Sequence, residues 1–84
     1  MSKIDDTQGA ISAAKDQVDQ AIGAISAAMQ EAEEAADVLM AGGAETNAQM
    51  LAQCKDTLEQ AVQAVSAAND TLDEAIQQAE AGKG

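Results

Sequence analysis

"DQAIGAISAA", residues 19 to 28, returns forty residues later as "EQAVQAVSAA", residues 59 to 68. The echo exchanges Asp for Glu and Ile for Val and keeps a branched apolar side chain at each matching position. Aligning residues 11–39 on 51–79 without a gap pairs Lys15 with Lys55, Asp16 with Asp56, Gln20 with Gln60, Ser26 with Ser66 and Glu34 with Glu74. In the same alignment Ile11 meets Leu51, Val18 meets Leu58, Ile22 meets Val62 and Ile25 meets Val65. A fixed offset carrying this many identical or conservative pairs marks an internal duplication.

Each copy has a helical rhythm. In the first, Ile4, Ile11, Val18, Ile22, Ile25, Met29, Ala32, Ala36 and Leu39 form one stripe; in the second, Leu51, Cys54, Leu58, Val62, Val65, Leu72, Ile76 and Ala79 do. Steps of three and four alternate and average near 3.5, the heptad spacing of helices that wind around a partner. Alanine dominates the 46 % of the chain that is apolar, and proline and aromatic residues are absent. Alanine loses no side-chain entropy in a helix, so this composition favours long ones.

Between the copies lies "AGGAETNAQ", residues 41–49. Gly42 and Gly43 suit the turn that ends a helix, and Thr46 followed by Gln49 fits a capping box that starts the next. Ser2 with Asp5 matches the same pattern at the chain start. The expected organisation is one all-α domain over residues 1–84: helix 1 over 3–41, a Gly-rich turn over 42–45 and helix 2 over 46–81. Each helix spans roughly 50 Å at 1.5 Å per residue. So short a connection makes the two antiparallel neighbours. Two equivalent antiparallel helices are related by an approximate two-fold axis, which sets residue i across from a residue near 85 minus i. Lys15 is then expected near Asp70, Asp73 and Glu74, and Lys55 near Glu31 and Glu34.

A two-helix core without an aromatic side chain is thin. Small scaffolds offset the entropy of ordering, about 1.5 kcal/mol per residue, with disulfides, metals or oligomerisation. Histidine is absent and Cys54 is the only cysteine, so association is the expected route, as a four-helix bundle built from two hairpins. The interface residues expected from the stripes are Ile11, Val18, Ile22, Ile25, Met29, Leu39, Leu51, Cys54, Leu58, Val62, Val65, Leu72 and Ile76. The partner is a protein, either a second copy or a different helical hairpin.

Fifteen acids against four lysines leave a net charge of −11, which repels phosphate backbones and anionic headgroups. Neither direct nucleic-acid binding nor membrane insertion is expected, and no run of 18 apolar residues exists to span a bilayer. "MSKIDDTQGA" has no apolar core region, so a cleavable signal peptide is not expected. Cytoplasmic location is the default, with leaderless export as the alternative.

Without His, Arg or Tyr the usual general bases and oxyanion stabilisers are missing. Cys54 has no partner base to lower its pKa and reads as a small core residue, or else as a cross-linking thiol. No enzyme activity, cofactor or metal is expected. Glu31, Glu33, Glu34 and Asp37 form the densest charge cluster and read as a solvated face. Met29, Met40 and Met50, near the bend, read as gap fillers where the core narrows.

An acidic chain of this size, with two long helices around the glycine-containing bend "LMAGGAE", resembles the small Trp-x-Gly hairpin proteins exported by type VII secretion systems. It is also similar to the actinobacterial hairpin families encoded beside polymorphic toxins. Gly42 or Gly43 stands where the family glycine stands; the motif tryptophan has no counterpart. The resemblance implies dimerisation into a four-helix bundle and a role as secreted partner, adaptor or chaperone of a larger effector. Two other functions fit the composition. An acidic inhibitor would imitate a phosphate array for a basic protein, although the acids read as spread around both helices; a scaffolding subunit would make further symmetric contacts.

Overall fold

A computed structural model describes residues 2–83. Two helices fill it: α1, Lys3–Ala41, and α2, Glu45–Ala81. They pack against each other along their whole length as an all-α hairpin measuring 64 × 16 × 10 Å.

The ends of the helices are set locally. Ser2, in an extended conformation, accepts the Asp5 amide N–H on its hydroxyl at 3.1 Å and caps α1. At the bend the Gly43 N–H donates to the Met40 carbonyl at 3.1 Å and the Ala44 N–H to the Leu39 carbonyl at 2.9 Å. These are the paired bonds of a Schellman ending, which needs a left-handed residue at its centre. Gly43, with φ of 83°, supplies it, while Gly42 stays at negative φ. The Ala44 carbonyl then accepts the Ala48 N–H at 3.0 Å, so α2 begins at once. Thr46 and Gln49 therefore lie inside α2 rather than forming the expected capping box, and its N-cap, Ala44, makes no side-chain bond.

Burial follows an unbroken heptad. From Ile4 to Leu39 the half-buried positions 4, 8, 11, 15, 18, 22, 25, 29, 32, 36 and 39 step by four and three in alternation, with Ala14 the one further half-buried residue beside them. From Ala44 to Ala79 the seam positions 44, 48, 51, 55, 58, 62, 65, 69, 72, 76 and 79, each forty residues beyond its counterpart, are all covered, and Ala61, Ser66, Asp73 and Ala75 beside them are partly covered too. The duplication thus extends to every residue of the seam. Two details differ from the stripe traced through apolar residues alone. Cys54 is exposed and Lys55 occupies the seam in its place, its aliphatic stem lying along apolar surface while the ammonium reaches out. Gln8, Lys15 and Asn69 are also seam residues.

Candidate functional site

With heptad letters assigned so that Gln8, Lys15, Ile22 and Met29 are a and Ile11, Val18, Ile25 and Ala32 are d, the two broad sides of the hairpin become chemically distinct. In an antiparallel pair the e positions of both helices share one side and the g positions share the other.

The e side is polar and carries the bonds between the helices. The Gln8 amide donates to Glu80 Oε2 at 2.8 Å, Lys15 pairs with Asp73, and the Asn69 amide donates to Asp19 Oδ1 at 2.7 Å. Lys55 Nζ lies 3.3 Å from Glu33 Oε2, and Lys83 Nζ lies 2.8 Å from Asp5 Oδ1. Each of these bonds joins an a residue to an e residue, and each pair of residue numbers adds to 88. The sum of these side-chain pairs is three more than the expected 85, while the Gln8 amide also donates to the Ile76 carbonyl at 3.5 Å, and Lys15 has one of its expected partners, Asp73. The same sum gives the partner of Lys55: Glu33, the counterpart of Asp73 forty residues on, takes the place expected for Glu31 or Glu34. The same bridge is written twice, once in each copy.

Position letters also sort the acids. Seven of the fifteen are at e: Asp5, Asp19, Glu33, Glu45, Glu59, Asp73 and Glu80. Asp16, Asp37, Asp56 and Asp70 stand beside them at b, and Asp6, Glu34 and Glu74 point outward at f. Only Glu31 falls at c. The acids are accordingly not spread around both helices but gathered on one side and the outer rims.

The g side is alanine. Ala14, Ala21, Ala28 and Ala35 hold g in α1 and Cys54, Ala61, Ala68 and Ala75 hold it in α2, with the polar Thr7 and Asn47 only at the first g position of each helix. The isoleucines, leucines and valines at d lie next to this row and are only partly covered. Cys54, expected in the core, thus belongs to the outer surface of this side. Met29 is in the seam, whereas Met40 and Met50 are 51 % and 63 % exposed and Val38 is 72 % exposed. The latter two methionines fill no gap. They form, with Val38, an apolar tip around the bend.

At the open end Lys83 bridges Asp5 and Glu80, the latter at 3.3 Å. Lys83, with the Ser2 hydroxyl second to it, holds the Asp5 carboxyl below its ordinary range. Gln8 and then Lys83 do the same for Glu80. The carboxyl of Asp5, then that of Glu80, raises the Lys83 ammonium, and Asp73 raises that of Lys15. Groups with lowered carboxyl pKa stabilise the fold above their ordinary range, about 4, and lose that contribution as pH falls through the folded values. The raised lysines lose theirs only as pH rises through their folded values, on the alkaline side. Acidification below pH 4 is thus expected to fray residues near both ends of the chain first, while the charge-free Schellman bend holds. Backbone NMR shifts followed through an acid titration check this; fraying that begins at Gly42–Ala44 would contradict it.

No cavity opens among the described residues, no group of three or more metal-ligating side chains converges there, and no helix is long and apolar enough to cross a membrane. The chain's surfaces are what it offers. No protein-family model, curated protein or solved structure matches the chain.

Proposed function

We propose that this chain is a non-enzymatic association module, a helical hairpin that works by docking its apolar side onto other helices, and that completing a four-helix bundle is how it acts as partner, adaptor or chaperone. The observation that carries this reading is the state of the core. Among the described residues Ala48 alone is buried, at 3 % exposure, and no large side chain is fully enclosed. A hairpin in which no branched residue of the seam is fully covered leaves apolar surface in water along its length, against the entropy of ordering two helices of 39 and 37 residues. Apolar residues at d and g, joined at a by Ile22, Met29, Ala36, Ala48, Val62 and Ile76, widen the face toward three in seven, the pattern of a helix packed inside a bundle; a two-stranded pair needs only a and d. The adaptor and chaperone roles rest on the resemblance to type VII hairpin proteins.

The phosphate-mimic alternative draws less support. Eleven carboxylates at e and b along a 64 Å hairpin amount to one per roughly 6 Å, against one charge per about 1.7 Å in duplex DNA.

The test is absolute mass by light scattering over a wide concentration range, with and without reductant, alongside thermal melting followed by circular dichroism. Association, or a helix signal that strengthens with concentration or with an added partner, supports the reading. A strictly monomeric chain with a cooperative melt independent of concentration and of host proteins overturns it.

A further inference from the structure

We propose that the partner on the alanine side is a second copy of this chain, docked face to face about a two-fold axis so that the g rows and d residues of two hairpins close one core. This rests on the association reading above and adds which face is used and what covers it.

Area gives the first argument. A compact monomer of 8.5 kDa exposes about 4,700 Å². The hairpin exposes 5737 Å², about 1,000 Å² more, and a standard interface covers about 800 Å² of each partner. One broad side of a body 64 Å long and 16 Å wide is of that size.

Charge selects the side. Two chains of net charge −11 repel wherever their carboxylates face each other. Among the c, d and g positions from Thr7 to Gln78 the only charge is Glu31, whereas the opposite side carries seven acids at e alone. Two copies meeting through g hold their carboxylates on the far surfaces, and no other side of the hairpin allows this.

Self-complementarity selects the partner. An isologous contact requires a surface that fits itself. The duplication makes both g rows nearly alike, so each alanine row meets a row of the same size on the other copy. A face without charges or hydrogen-bonding side chains near its centre holds nothing that would distinguish a foreign partner from an identical one. In the resulting bundle every helix lies beside antiparallel neighbours, which opposes their dipoles favourably.

The test compares two double variants that make the same chemical change one residue apart. Ala28, Ala68, Ala27 and Ala67 are all exposed in the hairpin; the first two are at g and the others at f. Ala28→Glu with Ala68→Glu is expected to halve the mass measured by light scattering, or to abolish the helix signal if the dimer is needed for folding. Ala27→Glu with Ala67→Glu is expected to keep both mass and helix. Cys54 reports independently: its thiol, open in the hairpin, is expected to react with a thiol reagent more slowly as the concentration of the unmodified chain rises. A dimer that resists the g variant overturns the face and leaves association standing. A wild-type chain that is monomeric and poorly helical alone but folds with a different protein overturns the second copy as partner while sparing the association reading. A stable wild-type monomer with no partner overturns both.

Discussion

Ile25→Ala is expected to destabilise the associated protein by about 2–5 kcal/mol, the range for truncating an isoleucine in a closed core. Ile22→Ala is expected to cost only about 1–2 kcal/mol, because its partial burial secures only part of the roughly 1.5–3 kcal/mol gained by full burial and the site opens to water instead of leaving a closed cavity. The two isoleucines are three residues apart, of one chemical type, and both half-buried in the hairpin. Ile22 is at a, beside the acids and ion pairs of the e side, whereas Ile25 is at d, beside the alanine row. In the proposed bundle a second layer of helices over the alanines would enclose Ile25 and leave Ile22 near the rim. Urea unfolding of both variants at high protein concentration is the measurement. Equal losses of about 1–2 kcal/mol would mean that no helix covers the d residues, and the bundle would have to be abandoned.

The all-α hairpin itself was legible from two features of the sequence: the exact return of Lys15, Asp16 and Ser26 as Lys55, Asp56 and Ser66, and a pair of glycines placed between the copies. What an apolar stripe obscures is the seam's polar members. Tracing α2 through Cys54 instead of Lys55 follows hydrophobicity and shifts one position out of phase; passing over Gln8 and Asn69 hides the strict alternation of four and three. That slip has consequences. With the phase blurred, the acids look scattered and Lys55 is assigned the wrong glutamate. A long side chain occupies a seam by burying its stem and extending its charge to the edge, so a lysine at an a position is consistent with the heptad and even informative about it. The bend differed for another reason. A Schellman ending whose last residue is also the N-cap of the next helix leaves no room for a separate capping box, and the Thr46 hydroxyl is not required.

Asn69→Met is expected to raise the melting temperature. Position 69 is the counterpart of Met29, so the substitution restores the duplication at the one place in the middle of the seam where an apolar residue is answered by a polar one. Its amide nitrogen donates to Asp19, but Asn69 Oδ1 is buried without a hydrogen-bond partner. An unsatisfied buried acceptor costs about 1–3 kcal/mol, while a hydrogen bond of this kind contributes about 1.5–3 kcal/mol at most when a charged partner is fully enclosed and less at an exposed edge. Asp19 is exposed and regains water when the bond is lost. Adding the apolar contacts of a methionine in a seam, the balance favours the variant by about 1–2 kcal/mol, or roughly 4–16 °C for a domain of this size. Stability is not all that an asparagine at an a position does, since such residues fix register and pairing at a cost in stability. Here the two helices are near copies, and α1 of one chain could pair with α1 of another; Asn69 opposite Asp19 occurs in the native hairpin alone. The variant is therefore expected to melt higher and over a broader range, with additional species in size exclusion. A lower melting temperature with a single species would show that the bond to Asp19 outweighs the orphaned oxygen, and Asn69 would then be a stabilising residue rather than one that selects the pairing.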